Sequence, residues 1–167
     1  MSRTRANHVP IELERFLPYR LSLLSNRVSQ AIARDYERRF DLSVTEWRIL
    51  AVLARFDALS AREVAERTAM DKVAVSRALM RLVGRGLVSR RWHGGDKRRS
   101  VLRLSARGWR VHDAVAPLAL QHERDLLTRL SVAERAALAR ILDKLGAGTF
   151  PPSERVALRP RSPCAPR

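Results

Sequence analysis

The span from Ser60 to Leu104 concentrates the hydrogen-bonding cations of this chain. It holds twelve Lys/Arg against four Asp/Glu, half of the net charge of +16 in just over a quarter of the 167 residues. Lys72, Ser76, Arg77 and Arg81 fall on steps close to one helical turn, with Ala74 and Val75 between them. A guanidinium offers a rigid fork of donors, a hydroxyl bonds in either sense, and short apolar side chains pack on methyl groups. A second group follows in Arg90, Arg91, Asp96, Arg98 and Arg99, arranged about His93-Gly94-Gly95. A carboxylate two residues before an Arg can hold the guanidinium in a fixed orientation at a turn, and the two glycines supply the backbone freedom such a turn needs. This is the chemistry of gripping phosphates and reading base edges.

Bond-breaking chemistry has no comparable support. There is no Gly-rich phosphate loop, no Cys/His couple and no G-x-S-x-G, so no catalytic residue is expected and the enzyme class is set aside. His8, His93, His112 and His122 show no ligand spacing, so neither a metal nor another cofactor is expected. Cys164, the sole cysteine, stands in a Pro/Arg-rich segment where it is poorly placed for redox work. No apolar run approaches the roughly 18–20 residues of a membrane span. No apolar core follows Arg3 and Arg5 as a secretory signal would require, and the cytoplasm is the expected location. With 46% apolar and 30% charged residues the composition is globular, and the excess of positive charge suits approach to a polyanion.

The elements that must position these residues are legible from periodicity and caps. Leu17, Leu21, Leu24, Val28, Ile32 and Tyr36 line one face of a long helix. Ser43-Val-Thr-Glu46, Ser60-Ala-Arg-Glu63 and Ser131-Val-Ala-Glu134 are capping boxes, each opening an apolar-periodic run. A turn at Thr68-Ala-Met-Asp71 leads to a helix from Lys72 to about Arg85, with Gly86 at its C-terminal end. Taking Val73, Leu79, Leu82 and Val83 as its core side leaves Lys72, Ala74, Val75, Ser76, Arg77 and Arg81 outward. Leu87–Trp92 and Ser100–Leu104 read as the strands of a hairpin. Helical periodicity resumes after Ser105, where Pro117 should kink or locally open the first helix.

The expected fold class is mainly α with a small β-hairpin wing. A winged helix-turn-helix lobe occupies about 43–104, flanked by long helices at about 11–40 and 105–147. Their apolar stripes need a partner, most simply a second copy of the chain. Residues 1–148 form one domain, and 149–167 a tail without a packed core. In such a lobe the recognition helix enters the major groove, N-terminal half first. Arg77 is then the candidate for bidentate guanine contact, and Ser76 for a base or phosphate. Ala74 and Val75 suit thymine methyls, and Lys72, Arg81, Arg90 and Arg91 suit the DNA backbone.

The stretches Ser60-Ala-Arg-Glu-Val-Ala-Glu-Arg-Thr, Asp71-Lys-Val-Ala-Val-Ser-Arg-Ala-Leu-Met-Arg-Leu, Gly86-Leu-Val-Ser-Arg and Asp96-Lys-Arg-Arg-Ser-Val-Leu-Arg-Leu-Ser resemble the MarR family of bacterial regulators. The resemblance runs from about Leu17 to Leu145. It implies a homodimer whose terminal helices interlock while two lobes straddle a pseudo-palindromic operator in double-stranded DNA. It also implies that Arg98, oriented by Asp96, enters the minor groove, with Arg99 sharing or replacing that role. For many such proteins it implies a repressor released by a small aromatic acid or its thioester. Tyr19, Arg20, Ser22, Asn26, Trp47 and Arg48 offer aromatic and cationic groups for such a ligand. The competing assignments are Trp47 as a core residue and Arg20 and Arg48 as salt-bridged surface. A regulator or activator with no small-molecule ligand, and a basic helical interaction module, are the alternatives at the level of function.

Overall fold

The computed structural model describes residues 11–93 and 96–149, and the side chains of all of these except 92–99 and 148–149. The chain runs α1 (Leu17–Phe40), α2 (Val44–Phe56), α3 (Ala61–Thr68), α4 (Lys72–Gly84), β1 (Val88–His93), β2 (Asp96–Leu104), α5 (Ala106–Leu127) and α6 (Val132–Thr149).

Local chemistry sets most of these boundaries. Ser43 and Ser60 each accept a hydrogen bond from the backbone N–H of the Glu three residues on, and the Glu46 and Glu63 carboxylates in turn accept one from the Ser N–H. Ser131 and Glu134 do the same at the start of α6. Bonds from Ser60 and Ser131 hold the Glu63 and Glu134 carboxyls below their usual range. Asp71 and Ser105 cap α4 and α5 singly, bonding Ala74 N–H and Gly108 N–H at 2.9 Å each. Helices α1 and α3 end on left-handed residues, Asp41 and Ala69. Gly86, at φ +66°, takes the left-handed step after α4. Helix α5 passes through Pro117 without a break.

The core lies between α2, α3, α4 and the hairpin. Ile49, Leu50 and Leu53 of α2, Val64 of α3, Val75, Ala78 and Leu82 of α4, and Leu87, Val88 and Leu102 are all buried, with Tyr36 of α1 and Val115 of α5 closing it from the far side. Each such Leu or Ile contributes roughly 1.5–3 kcal/mol relative to exposure, so the lobe carries its own stability. The strands pair antiparallel from Val88↔Leu104 to Trp92↔Ser100, and the register then shifts to His93↔Asp96. Along β2, Ser100, Leu102 and Leu104 face inward, the two-residue period of a half-buried strand. Leu59, between α2 and α3, bonds Leu102 in both directions, which fixes the root of the hairpin to the lobe.

Outside the lobe the pattern inverts. Leu17, Leu21 and Leu24 of α1, Leu120 and Leu126 of α5, and Leu138, Ile141, Leu142 and Leu145 of α6 are exposed, and none of the described side chains of α6 is buried. Among the described residues no helix is long and apolar enough to cross a membrane, and no group of His, Cys, Asp and Glu is gathered as for a metal.

Candidate nucleic-acid interface

Helix α4 turns its core face by the residues Val75, Ala78, Leu79 and Leu82, all buried. Their spacing of three, four and seven is one stripe of a helix at about 100° per residue. Val73 lies nearly opposite and is 55% exposed. The structure therefore reverses the sequence expectation for these two valines. Val75 is packed inside at 1% exposure and leaves the outward set, and Val73 replaces it there. The signal was available, because 75, 78, 79 and 82 make one stripe whereas 73, 79, 82 and 83 do not.

The outward face now comprises Lys72, Val73, Ser76, Arg77 and Met80, with Ala74 half-buried on its flank. Lys72, Ser76 and Arg77 make no side-chain hydrogen bond or ion pair with any described residue. Two donors and a hydroxyl thus project from the first two turns of α4, beside the exposed apolar surfaces of Val73 and Met80. The helix N-terminus adds its partial positive charge to the same end.

Arg81 lies differently. Its Nε donates to the buried Glu46 carboxylate of α2 at 3.1 Å. Arg90 donates to Ser100 Oγ at 2.9 Å, at the root of the hairpin, and borders a cavity of about 320 Å³ with Met80 and Leu102. Arg91 pairs with Val101 on the opposite face of the hairpin and is exposed. The backbones of Asp96, Arg98 and Arg99 lie in β2, Arg98 and Arg99 within the register shift and Asp96 beyond it. Their side chains, and Gly94 and Gly95, fall outside the described residues, and so does Cys164.

The residues considered for a ligand divide into two groups. Trp47 is half-buried, 6.0 Å from the Tyr36 ring and stacked on His112 at 5.7 Å, which ties α2 to α1 and α5. Burial pushes the Tyr36 hydroxyl up to about 12, so it stays protonated. Arg48 donates to Ser29 Oγ on α1 at 2.9 Å. Tyr19, Arg20, Ser22 and Asn26 lie apart from this pair, all exposed on the N-terminal half of α1. Within one chain the six residues do not converge on a single cavity.

A contact that sequence spacing did not suggest joins α1 to α5: His122 Nε2 lies 2.6 Å from Asp35 Oδ2.

Comparison with known proteins places this arrangement. The family described as "MarR family" matches residues 40–99, which span α2, the helix-turn-helix, β1 and the first residues of β2. The transcriptional regulator HosA of Escherichia coli O127:H6 is 27% identical over 116 residues, covering 70% of this chain and 86% of its own. A MarR/EmrR family regulator from Acinetobacter sp. ADP1 superposes with a TM-score of 0.75 at 27% identity, covering 83% of this chain and 97% of its own. Bordetella bronchiseptica BpsR, whose structure is described as the mechanism for regulation of its DNA binding by 6-hydroxynicotinic acid, shares the fold with a TM-score of 0.70 at 24% identity, over 83% and 98% of the two chains. With its helix-turn-helix, hairpin wing and flanking helices in the same order, the chain is similar in sequence and in fold to the transcriptional regulators of the MarR family.

Proposed function

We propose that this chain is a homodimeric repressor that binds a pseudo-palindromic operator and is released from it by a small aromatic acid or its thioester. The observation that carries the DNA-reading part is the outward face of α4, where Lys72, Ser76 and Arg77 are exposed beside Val73 and Met80 and bond no described side chain. Ser76 and Arg77 reach base edges, Val73 packs on a thymine methyl, and Lys72 meets phosphate. The wing residues Asp96, Arg98 and Arg99 grip the adjacent minor groove. The transcriptional regulators that the chain resembles support a protein that acts by binding rather than by catalysis.

The dimer is supported by the exposed apolar stripes of α1 and α6, which a second copy would cover. The effector is supported by the BpsR relative and its 6-hydroxynicotinic acid. Tyr19, Arg20, Ser22 and Asn26 would meet the ligand where the partner's helices complete a pocket, with Trp47 and Arg48 forming its floor. The engagement of Trp47 by Tyr36 and His112, and of Arg48 by Ser29, favours a second reading in which the regulator answers to no small molecule.

One experiment tests these parts. Binding to the DNA upstream of the chain's own gene and its neighbours is measured with and without a panel of aromatic acids and their thioesters. A protected two-fold site lost on adding one acid supports the whole proposal. A protected site indifferent to every acid leaves the second reading, and binding without sequence preference sinks both.

A further inference from the structure

Two guanidiniums stand one turn apart at the end of α4, Arg81 in its last turn and Arg85 at its C-cap, and each bonds a group of the protein itself. Arg81 Nε meets Glu46 Oε1 at 3.1 Å, while Glu46 Oε2 accepts from Ser43 N–H and Ser43 Oγ at 2.8 Å each. One oxygen of a buried carboxylate therefore caps α2, and the other holds α4. Arg85 donates to the carbonyls of Phe40, at 2.7 Å, and Asp41, at the C-terminal end of α1. A cation there satisfies orphan carbonyls and complements the helix dipole. The cleft around these contacts sets Glu37, Asp41 and Glu46 against Arg81 and Arg85. Three carboxylates facing two cations make an unfavourable seat for a phosphate.

We propose that Arg81 is a positioning residue for sequence reading and not a DNA contact. Paired with Glu46, it fixes the angle at which α4 presents Ser76 and Arg77. Arg85 carries the same brace to the end of α1, so that a displacement of α1 moves the reading helix with it. A charge-assisted bond to a buried carboxylate is among the stronger polar contacts, and it stabilises one orientation of α4 over its alternatives. The inference rests on the operator reading proposed above.

The test compares wild type, Arg81→Ala, Glu46→Gln and the double variant on operator and on unrelated duplex, across a salt series. Glu46→Gln keeps an oxygen for Ser43 N–H, and Arg81 is 60% exposed at its side chain, so both substitutions leave the lobe able to fold. Each single variant should weaken operator binding roughly tenfold, as expected for losing one charge-assisted bond. Binding to unrelated DNA and the slope of log K against log salt should stay at wild-type values. The double variant should be no weaker than the weaker single one. Partial unfolding would lower binding to both duplexes, so the ratio separates it from reorientation. A slope reduced by about 1 in Arg81→Ala, with equal loss on both duplexes, marks a phosphate contact and overturns the proposal. Wild-type operator binding by Glu46→Gln overturns it as well. A wild-type chain without preference for the operator instead defeats the regulatory reading itself.

Discussion

Asp35 on α1 and His122 on α5, 87 positions apart, meet at 2.6 Å and pin the long helices to each other beside the lobe. The hydrogen bond from His122 is the largest influence on the Asp35 carboxyl, with the charges of His122 and Arg38 adding to it, and the pKa is held below its usual value. A depressed carboxylate pKa stabilises the fold above the unfolded value, near 3.9, and that stabilisation is lost as pH falls through the folded value. His122→Ala should therefore return the Asp35 pKa toward the ordinary range in a carboxyl NMR titration. Its thermal midpoint should fall below wild type at pH 6, with the gap closing below about pH 4. An Asp35 pKa unmoved by the substitution would remove the pair from the structure's account of stability.

The two valines of α4 make opposite predictions. Val75→Ala removes two methyl groups from a residue with 1% exposure, and should cost about 2 kcal/mol in urea unfolding. Val73→Ala, at 55% exposure, should stay within about 0.5 kcal/mol of wild type in stability and weaken the preference for thymine at one operator position. The reverse pattern would restore the first helical-wheel assignment.

Arg77→Ala should lower operator affinity by about 1–3 kcal/mol and relax specificity at one base pair, with stability unchanged. Selection of preferred sites from a randomised duplex pool reads both quantities. Retained discrimination at every position would take Arg77 out of the reading set.

Gly108 and Gly84 form a matched pair for packing. A Cβ at Gly108 would lie 2.0 Å from the Leu87 carbonyl oxygen, where α5 starts against the turn after α4. Gly108→Ala should cost about 1–3 kcal/mol through forced displacement of backbone. Nothing lies within 4 Å of a Cβ at Gly84, so Gly84→Ala should be neutral or gain up to about 1 kcal/mol of helix propensity. Circular-dichroism melts distinguish the two, and equal midpoints would mean that α5 can shift freely at its start.

What could be read from sequence was what is decided locally. The three Ser-x-x-Glu boxes act within one turn, and each forms as its spacing implies. The hairpin followed from alternation in Ser100-Val-Leu-Arg-Leu104, although β2 starts four residues earlier, at Asp96. Val73 and Val75 went wrong because two apolar residues of one type stand two positions apart, and only a complete stripe decides which points inward. The bond from Arg81 to Glu46, 35 residues away, was not legible because Glu46 already had a visible duty as the cap of α2. His122 and Asp35 were invisible for a related reason: their meeting depends on how α5 lies across α1, which no local pattern encodes.

Helix α6 has 18 residues and buries none of its described side chains, while Leu138, Ile141, Leu142 and Leu145 stand at 39–53% exposure. An isolated helix of that length is marginal in water, so under the proposed dimer its order would come from association, and its folding would be bimolecular. The thermal midpoint of this segment should then climb with the amount of chain present, while that of the lobe holds still. Inside a cell, the C-terminal helix would report the abundance of the regulator itself, and scarcity would dissolve the shared scaffold before it touched the reading head.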